Sequence, residues 1–264
     1  MKFTKMQGLG NDYIYVRSKK EPVSPDLLSI KLSDRHFGIG SDGMIWILPS
    51  KVADFKMRIF NADGSEAMMC GNGIRCVGKY VYDKGLTKKS KIKVETLSGI
   101  KTLDMKVENG EVVSVCVDMG KADAGLVNRV EILGEDVEYI PVSVGNPHAV
   151  IFVDDIEKAK ITSVGPAMEH CDRFPDGVNV EFVQVLSDTR LRMRVWERGS
   201  GITMACGTGS CATVMAAISV GLCNYNTDVA VELDGGTLII NISEDNSVKM
   251  TGPAKISFEG EVNI

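Results

Sequence analysis

The stretch FNADGSEAMMCGNGIRC at residues 60–76 is answered by WERGSGITMACGTGSCA at 196–212. A shift of 136 positions lays Cys70 on Cys206, Met68 on Met204, Gly71 on Gly207 and Gly73 on Gly209. The same shift brings Met57 and Arg58 onto Met193 and Arg194, and Phe60 onto Trp196. A second echo, Gly10-Asn11 with Gly145-Asn146, lies at nearly the same spacing, each pair ahead of an apolar run. The chain therefore reads as two related halves, each carrying one cysteine beside a glycine-rich turn. A pseudo-two-fold axis between such halves would bring two equivalent sulfurs to one cleft, as an acid and a base acting on one atom from opposite sides require.

Around the two cysteine segments, short β-branched runs dominate, at 13–16, 44–48, 55–60, 91–96, 112–117, 149–153, 178–185, 191–196, 229–233 and 238–242. Gly, Asn and Asp clusters separate them, among them Glu108-Asn109-Gly110 and Asp234-Gly235-Gly236, the latter placed as a hairpin turn. Helix patterns at 73–83 and 209–220 follow directly on the cysteine turns and are apolar nearly all round, as buried helices are. Amphipathic candidates at 24–35 and 156–169 complete the set. The expected fold is α/β (α+β): two pseudo-symmetric domains, each a β-barrel wrapped around a central α-helix, with the active site in the interdomain cleft.

A cysteine immediately before a helix faces unpaired amides and the positive end of the helix dipole, which favour thiolate over thiol. The glycines that follow leave room for an anion over the backbone N–H groups, so a carboxylate could be cradled there. If both turns grip one α-carboxylate, a sulfur lies on each side of the adjacent carbon, and taking a proton from one face while returning one to the other inverts it. Two thiolates so placed would repel, so the pair should share one proton.

Cys76, Cys116, Cys171, Cys211 and Cys223 read as small buried hydrophobes. The odd count of seven, in a chain whose start lacks an apolar signal core, points to reduced thiols and a cytoplasmic location. Zinc is poorly served: five residues separate Cys70 from Cys76, four separate Cys206 from Cys211, and no His pair stands near. The GLG at 8–10 and GIG at 38–40 lack the strand, glycine and helix order of a dinucleotide site and read as plain turns. Acidic residues, 35 against 30 basic, are spread without blocks, and no basic stripe or long apolar segment points to nucleic acid or membrane.

On these residues the chain resembles the diaminopimelate epimerases. The matching motifs run end to end: GLGNDY at 8–13, GIGSDG at 38–43, the two cysteine segments, GNPHAV at 145–150, GVNVEF at 177–182 and GPA at 252–254. The resemblance implies epimerisation of LL-2,6-diaminopimelate to the meso form by a thiolate/thiol pair, in lysine and peptidoglycan precursor synthesis. It implies no pyridoxal phosphate and no metal, a homodimer, and a small-molecule substrate as the partner. Cys70 and Cys206 match the proton carriers; Gly71, Asn72, Gly207 and Thr208 match the turns that hold the reacting carboxylate. Asn11, Asn61, Asn146, Asn179, Glu197 and Arg198 match the rest of the substrate pocket, and His148 and Glu197 match residues that adjust the thiols. The last strand, about 253–264, is expected to return to the first half, giving halves at 1–117 and 118–252.

Three positions depart from the pattern: Gly43 where some members carry a contacting Gln, Ile202 where an acid is common, and Phe258 where some carry a Tyr at the dimer contact. From the residues themselves two other readings stay open. One is a racemase for another small amino acid, such as proline or hydroxyproline. The other is a tandem β-barrel binding protein that holds a carboxylate without chemistry.

Overall fold

The GLGN turn starts the fold. Strand β1 (Lys2–Gly8) passes through Leu9-Gly10, both at positive φ (58° and 87°), into β2 (Asn11–Arg17), so that Gly8 pairs with Asn11. Such a two-residue turn matches the twist of antiparallel strands, and glycine adopts its conformation without steric cost. The structure is a computed structural model that describes residues 1–263. They divide into two units, 1–117 together with the segment from Gly252 onward, and 118–251.

In the first unit the chain continues through α1 (Pro25–Ser33), β3 (Gly43–Leu48), β4 (Phe55–Asn61), the short β5 (Glu66–Ala67), α2 (Gly71–Asp83), β6 (Lys91–Thr96), β7 (Gly99–Glu108) and β8 (Glu111–Lys121). Strand pairing is parallel for β2–β3 and β4–β6, where helices form the crossovers, and antiparallel for β3–β4, β6–β7 and β7–β8. The Asn109-Gly110 turn, again with both φ values positive (53° and 83°), joins β7 to β8.

The second unit repeats the order: β9 (Asp123–Ala124), β10 (Asn128–Ile132), β11 (Glu135–Ser143), β12 (Pro147–Phe152), α3 (Ile161–Glu169), β13 (Asn179–Ser187), β14 (Arg190–Glu197), β15 (Gly201–Ile202), α4 (Gly207–Ser219), β16 (Asp228–Leu233), β17 (Gly236–Ile242) and β18 (Ser247–Gly252). Its parallel pairs are β12–β13 and β14–β16, in the same places relative to the helices. Leu233 pairs with Gly236 across the expected Asp234-Gly235 hairpin. The last strand, β19 (Lys255–Glu261), pairs with β1.

Helices α2 and α4 begin and end at positions that differ by 136, the shift read from the sequence. Both are enclosed. Helix α2 packs against β19, β1 and β2 at one end of its ladder and against β7 at the other, and α4 against β9, β11 to β14, β16 and β17. Burying side chains such as Ile74, Val77, Val214 and Met215 contributes about 1.5–3 kcal/mol each. Each helix stops at a glycine in the left-handed region, Gly85 and Gly221, after which Leu86 N and Leu222 N close on Val81 O and Ala217 O at 2.9 Å.

The fold is mixed α+β and mostly strand, as expected, but among the described residues no pairing joins β19 to β8, so the first unit's ladder wraps α2 as an open sheet rather than a closed barrel. The candidate helix at 156–169 is broken. Asp155 caps a 3-10 turn at Ile156–Lys158, Ala159 is extended, and α3 starts afresh. The candidate at 24–35 ends at Ser33, where the Asp34 carboxylate accepts from the amides of His36 and Phe37 (both 2.7 Å) and turns the chain out. No helix among the described residues is long and apolar enough to cross a membrane.

Candidate active site

Cys70 and Cys206 are the N-caps of α2 and α4. Each lies in extended backbone, and each sulfur accepts from the amide three residues on, Gly73 N and Gly209 N, at 3.3 Å. Gly71, Asn72, Gly207 and Thr208, expected as a turn ahead of the helix, are the first helical residues themselves. Their N–H groups thus belong to the first turn of a helix, where no carbonyl of the helix lies four residues before them. All seven cysteines are unbridged, and of the five read as buried hydrophobes Cys76, Cys211 and Cys223 are buried while Cys116 and Cys171 are partly exposed.

In the first unit, Asn11 at the start of β2 donates from Nδ2 to Asp42 Oδ2 (2.8 Å), which turns its Oδ1 toward Cys70 Sγ at 3.3 Å. Asp42 also accepts from Asp12 N (2.9 Å) and pairs with Arg35 (2.9 Å), so the amide is held from behind. Tyr13 stands beside the sulfur, and burial, followed by the charge of Cys70, pushes its phenol well above the ordinary value. Asn61, at the end of β4, donates to Ser65 Oγ (3.0 Å) in its own turn rather than to the Cys70 cluster. The buried Arg75 braces the cap: Nη1 donates to Gly71 O and Nε to Pro253 O, both at 3.2 Å.

In the second unit, Cys206 is 5% exposed and faces carboxylates. The ring of His148 donates or accepts at both nitrogens, Nδ1 with Glu181 Oε1 at 2.7 Å and Nε2 with Asn146 Oδ1 at 3.1 Å. Asn146 Nδ2 reaches Thr208 Oγ1 (3.3 Å), which lies 3.7 Å from Cys206 Sγ. Glu197, at the end of β14, accepts from the Thr203 hydroxyl. Asn179 bridges Pro147 O (3.0 Å) and Arg198 N (3.1 Å), and the exposed Arg198 donates to Asp176 O (3.0 Å). An open hollow of about 420 Å³ in this unit is lined by Ser143, Gly145, Asn146 and His148 among others, a small-molecule size.

Electrostatics separate the second half-site from the simple helix-terminus expectation. Burial, then the charges of Glu197 and Glu181, push the Cys206 thiol well above its ordinary value, although the Gly209 amide and Thr208 hydroxyl act the other way. The dipole argument alone predicts a depressed thiol; here desolvation and two carboxylates outweigh it. Burial likewise raises Glu197 above the usual carboxylate range, against the Thr203 hydrogen bond.

Glu181, Asp42, Tyr13, Thr203 and Arg75 were not among the expected site residues. A lone acid in the run NVEFV, where neighbouring positions are apolar, is the sequence signal that marks Glu181. The absence of a side chain at Gly43 has a steric reason, since a Cβ there would lie 2.2 Å from Phe60 O and 2.9 Å from Asn61 Cα. Ile202 is exposed in β15, opposite Trp196. Phe258 is half exposed and meets Phe3 edge-on with ring centres 6.0 Å apart.

The sequence profile of the diaminopimelate epimerase family matches residues 3–124 and 140–257. Proteins named diaminopimelate epimerase from Methanococcus maripaludis and Acetivibrio thermocellus are each 52% identical, covering all of this chain and 100% and 99% of their own length. One from Parabacteroides distasonis is 53% identical over all of this chain and 98% of its own. Among solved structures, a Bacillus anthracis phenazine-biosynthesis protein aligns with a TM-score of 0.80 at 17% identity, covering 100% and 99% of the two chains. A hydroxyproline epimerase from Agrobacterium vitis, with bound trans-4-hydroxy-L-proline, aligns at 0.73 and 14% identity over 98% and 91%. These two likenesses show the fold.

Proposed function

The chain belongs to the diaminopimelate epimerase family of isomerases, and from that premise we propose that it interconverts LL-2,6-diaminopimelate and the meso form, with Cys70 and Cys206 as its acid–base pair. The observation that carries this reading is the equivalence of the two sulfurs: each caps a buried 13-residue helix and takes an amide at 3.3 Å. One sulfur, as thiolate, withdraws the α-proton; the other, as thiol, returns one, and the carbon is inverted. The chain's own groups supply this chemistry without pyridoxal phosphate or metal.

The first-turn N–H groups of Gly71, Asn72, Gly207 and Thr208 suit the α-carboxylate, because the positive end of a helix dipole favours an anion. Arg198, exposed and forked, suits the distal carboxylate. Asn11, Asn61, Asn146, Asn179 and Glu197 offer oxygens to the distal ammonium. His148 and Glu197 adjust the Cys206 side. We assign 1–117 with β19 as the first epimerase half and 118–252 as the second. The reaction serves lysine and peptidoglycan precursor supply in the cytoplasm, and the exposed Phe258 on β19 favours a homodimer. Diaminopimelate is the partner; a net charge of −5 without a basic stripe gives nucleic acid and membrane no purchase.

Purified protein incubated with LL-diaminopimelate and, separately, with trans-4-hydroxy-L-proline tests the assignment by chiral chromatography. Meso-diaminopimelate should appear and hydroxyproline should stay unchanged. Isomerised hydroxyproline with intact diaminopimelate would move the assignment to the proline-type racemases.

A further inference from the structure

Glu181 is not part of the proton transfer just described, yet its side chain is fully enclosed and charged groups are rarely buried without a task. One carboxylate oxygen, Oε1, meets His148 Nδ1 at 2.7 Å. The other, Oε2, is buried without a hydrogen-bond partner among the described residues. The carboxylate also shares its surroundings with the sulfur, the two lying on either side of Gly209. A Cβ placed on Gly209 would stand 2.7 Å from Glu181 Oε1 and 3.1 Å from Cys206 Sγ, so only a glycine lets both share the end of α4.

The ring it holds leads back to the same sulfur. Glu181 Oε1 holds the His148 ring at Nδ1 and so sets Nε2 against Asn146 Oδ1 at 3.1 Å. Asn146 then donates to Thr208 Oγ1, whose hydroxyl neighbours Sγ. Strands β12, β13 and β14 bring His148, Glu181 and Glu197 to this one end of the helix.

We propose that Glu181 is a positioning residue of the Cys206 half-site: its carboxylate fixes His148 through Nδ1 and, lying across Gly209 from the sulfur, keeps Cys206 supplied with its proton. It rests on the reading that Cys206 carries a proton in the reaction. Glu181 acts through the field of its charge and through the His148, Asn146 and Thr208 chain, and it touches neither substrate nor reacting carbon. Cys70, in the other unit, is its internal reference.

The test is a pH titration of protein labelled with 13Cβ-cysteine, without substrate, with Cys70 and Cys206 signals assigned by single serine variants. In Glu181→Gln the Cys206 midpoint should fall by at least about one pH unit, a tenfold change in proton concentration, as loss of a neighbouring charge requires. Glu181→Asp, which keeps the charge but withdraws it by one methylene, should fall between wild type and Gln. The Cys70 midpoint should stay in place throughout. An unmoved Cys206 midpoint in Gln, or equal displacement of both cysteines, overturns the proposal; should the Gln variant not fold, an unmoved midpoint in Asp does so. Turnover of LL-diaminopimelate by the wild-type protein is measured separately, so absent turnover would sink the function without touching the Glu181 result.

Discussion

Cys70 and Cys206 hold one and the same structural position: each is the N-cap of a helix of 13 residues and each sulfur accepts the amide of a glycine three residues on. What differs is the company. Cys70 meets an amide oxygen fixed by Asp42, whereas Cys206 is buried beside Glu197 and Glu181. A duplicated scaffold thus places two identical groups in unlike fields, the asymmetry that the proposed acid–base pair requires.

Serine in place of either cysteine should separate capping from chemistry. Serine is among the best N-caps, so Cys70→Ser and Cys206→Ser should keep stability to within about 1 kcal/mol, while alanine loses the cap at a cost of about 1 kcal/mol. Both substitutions should cut turnover by about 10²- to 10⁴-fold. Thermal unfolding and initial rates, compared across the four variants, check this.

The two glycines that donate to the sulfurs should respond differently to alanine. At Gly73 the new methyl meets Ile45 Cδ1 at 2.6 Å, the movable end of a side chain. At Gly209 it meets the Glu181 carboxylate and Cys206 Sγ. Gly73→Ala should therefore retain most activity at a cost of about 1–3 kcal/mol from overpacking, and Gly209→Ala should lose far more turnover than stability. Kinetics beside urea unfolding distinguish the two.

Arg75→Met should loosen the first half-site. It removes the donors to Gly71 O and Pro253 O, which tie the start of α2 to the segment leading into β19. Lost charge-assisted hydrogen bonds predict about 2–4 kcal/mol of destabilisation by urea unfolding. Amide exchange should rise over the first turn of α2 and over β19.

Alkaline pH should unfold the protein earlier than its carboxylate pairs alone would imply. Burial pushes the Cys76 thiol from 9.0 to about 11, and Cys206 is raised well above 9.0 as well. A raised folded value means that the native state holds the proton more tightly. The stabilisation is complete below pH 9 and is lost as pH climbs toward 11, about 2–3 kcal/mol for Cys76. Urea midpoints should be level from pH 7 to about 9 and fall above it; in Cys76→Ala the fall should be shallower.

The duplicated cysteine turns were legible because glycine and cysteine patterns survive where side-chain packing is negotiable, and they located α2 and α4 to within two residues at their starts. The cap itself explains those two residues: a cysteine that accepts an amide starts the helix at once, a role propensity assigns to Ser, Thr or Asp. The Asp234-Gly235 hairpin was legible for the same local reason.

Other parts depend on contacts that no pattern carries. β1 reads as polar because Lys5 sits in it, yet Lys5 is buried, paired with Asp12 at 2.5 Å and donating to Gly40 O. β19 is mostly exposed and charged, so it has no apolar alternation to find. The break at Ala159, which is extended, leaves no mark in an amphipathic pattern that runs on through it. Glu181 shows in the sequence only as a lone acid in an apolar run, because its meaning lies in His148, a partner 33 positions away.

Two-base epimerisation by Cys70 and Cys206 is tested most directly by incubating the reduced protein with LL-diaminopimelate in D2O and following α-deuterium and stereochemistry together by NMR. Each meso molecule formed early should carry deuterium at the inverted centre alone, with little deuterium in unreacted LL substrate, because separate groups remove and return the proton. Cys70→Ser and Cys206→Ser should form it at least about 10²-fold more slowly. Deuterium accumulating in LL substrate ahead of inversion, or undiminished turnover in either serine variant, would contradict the mechanism.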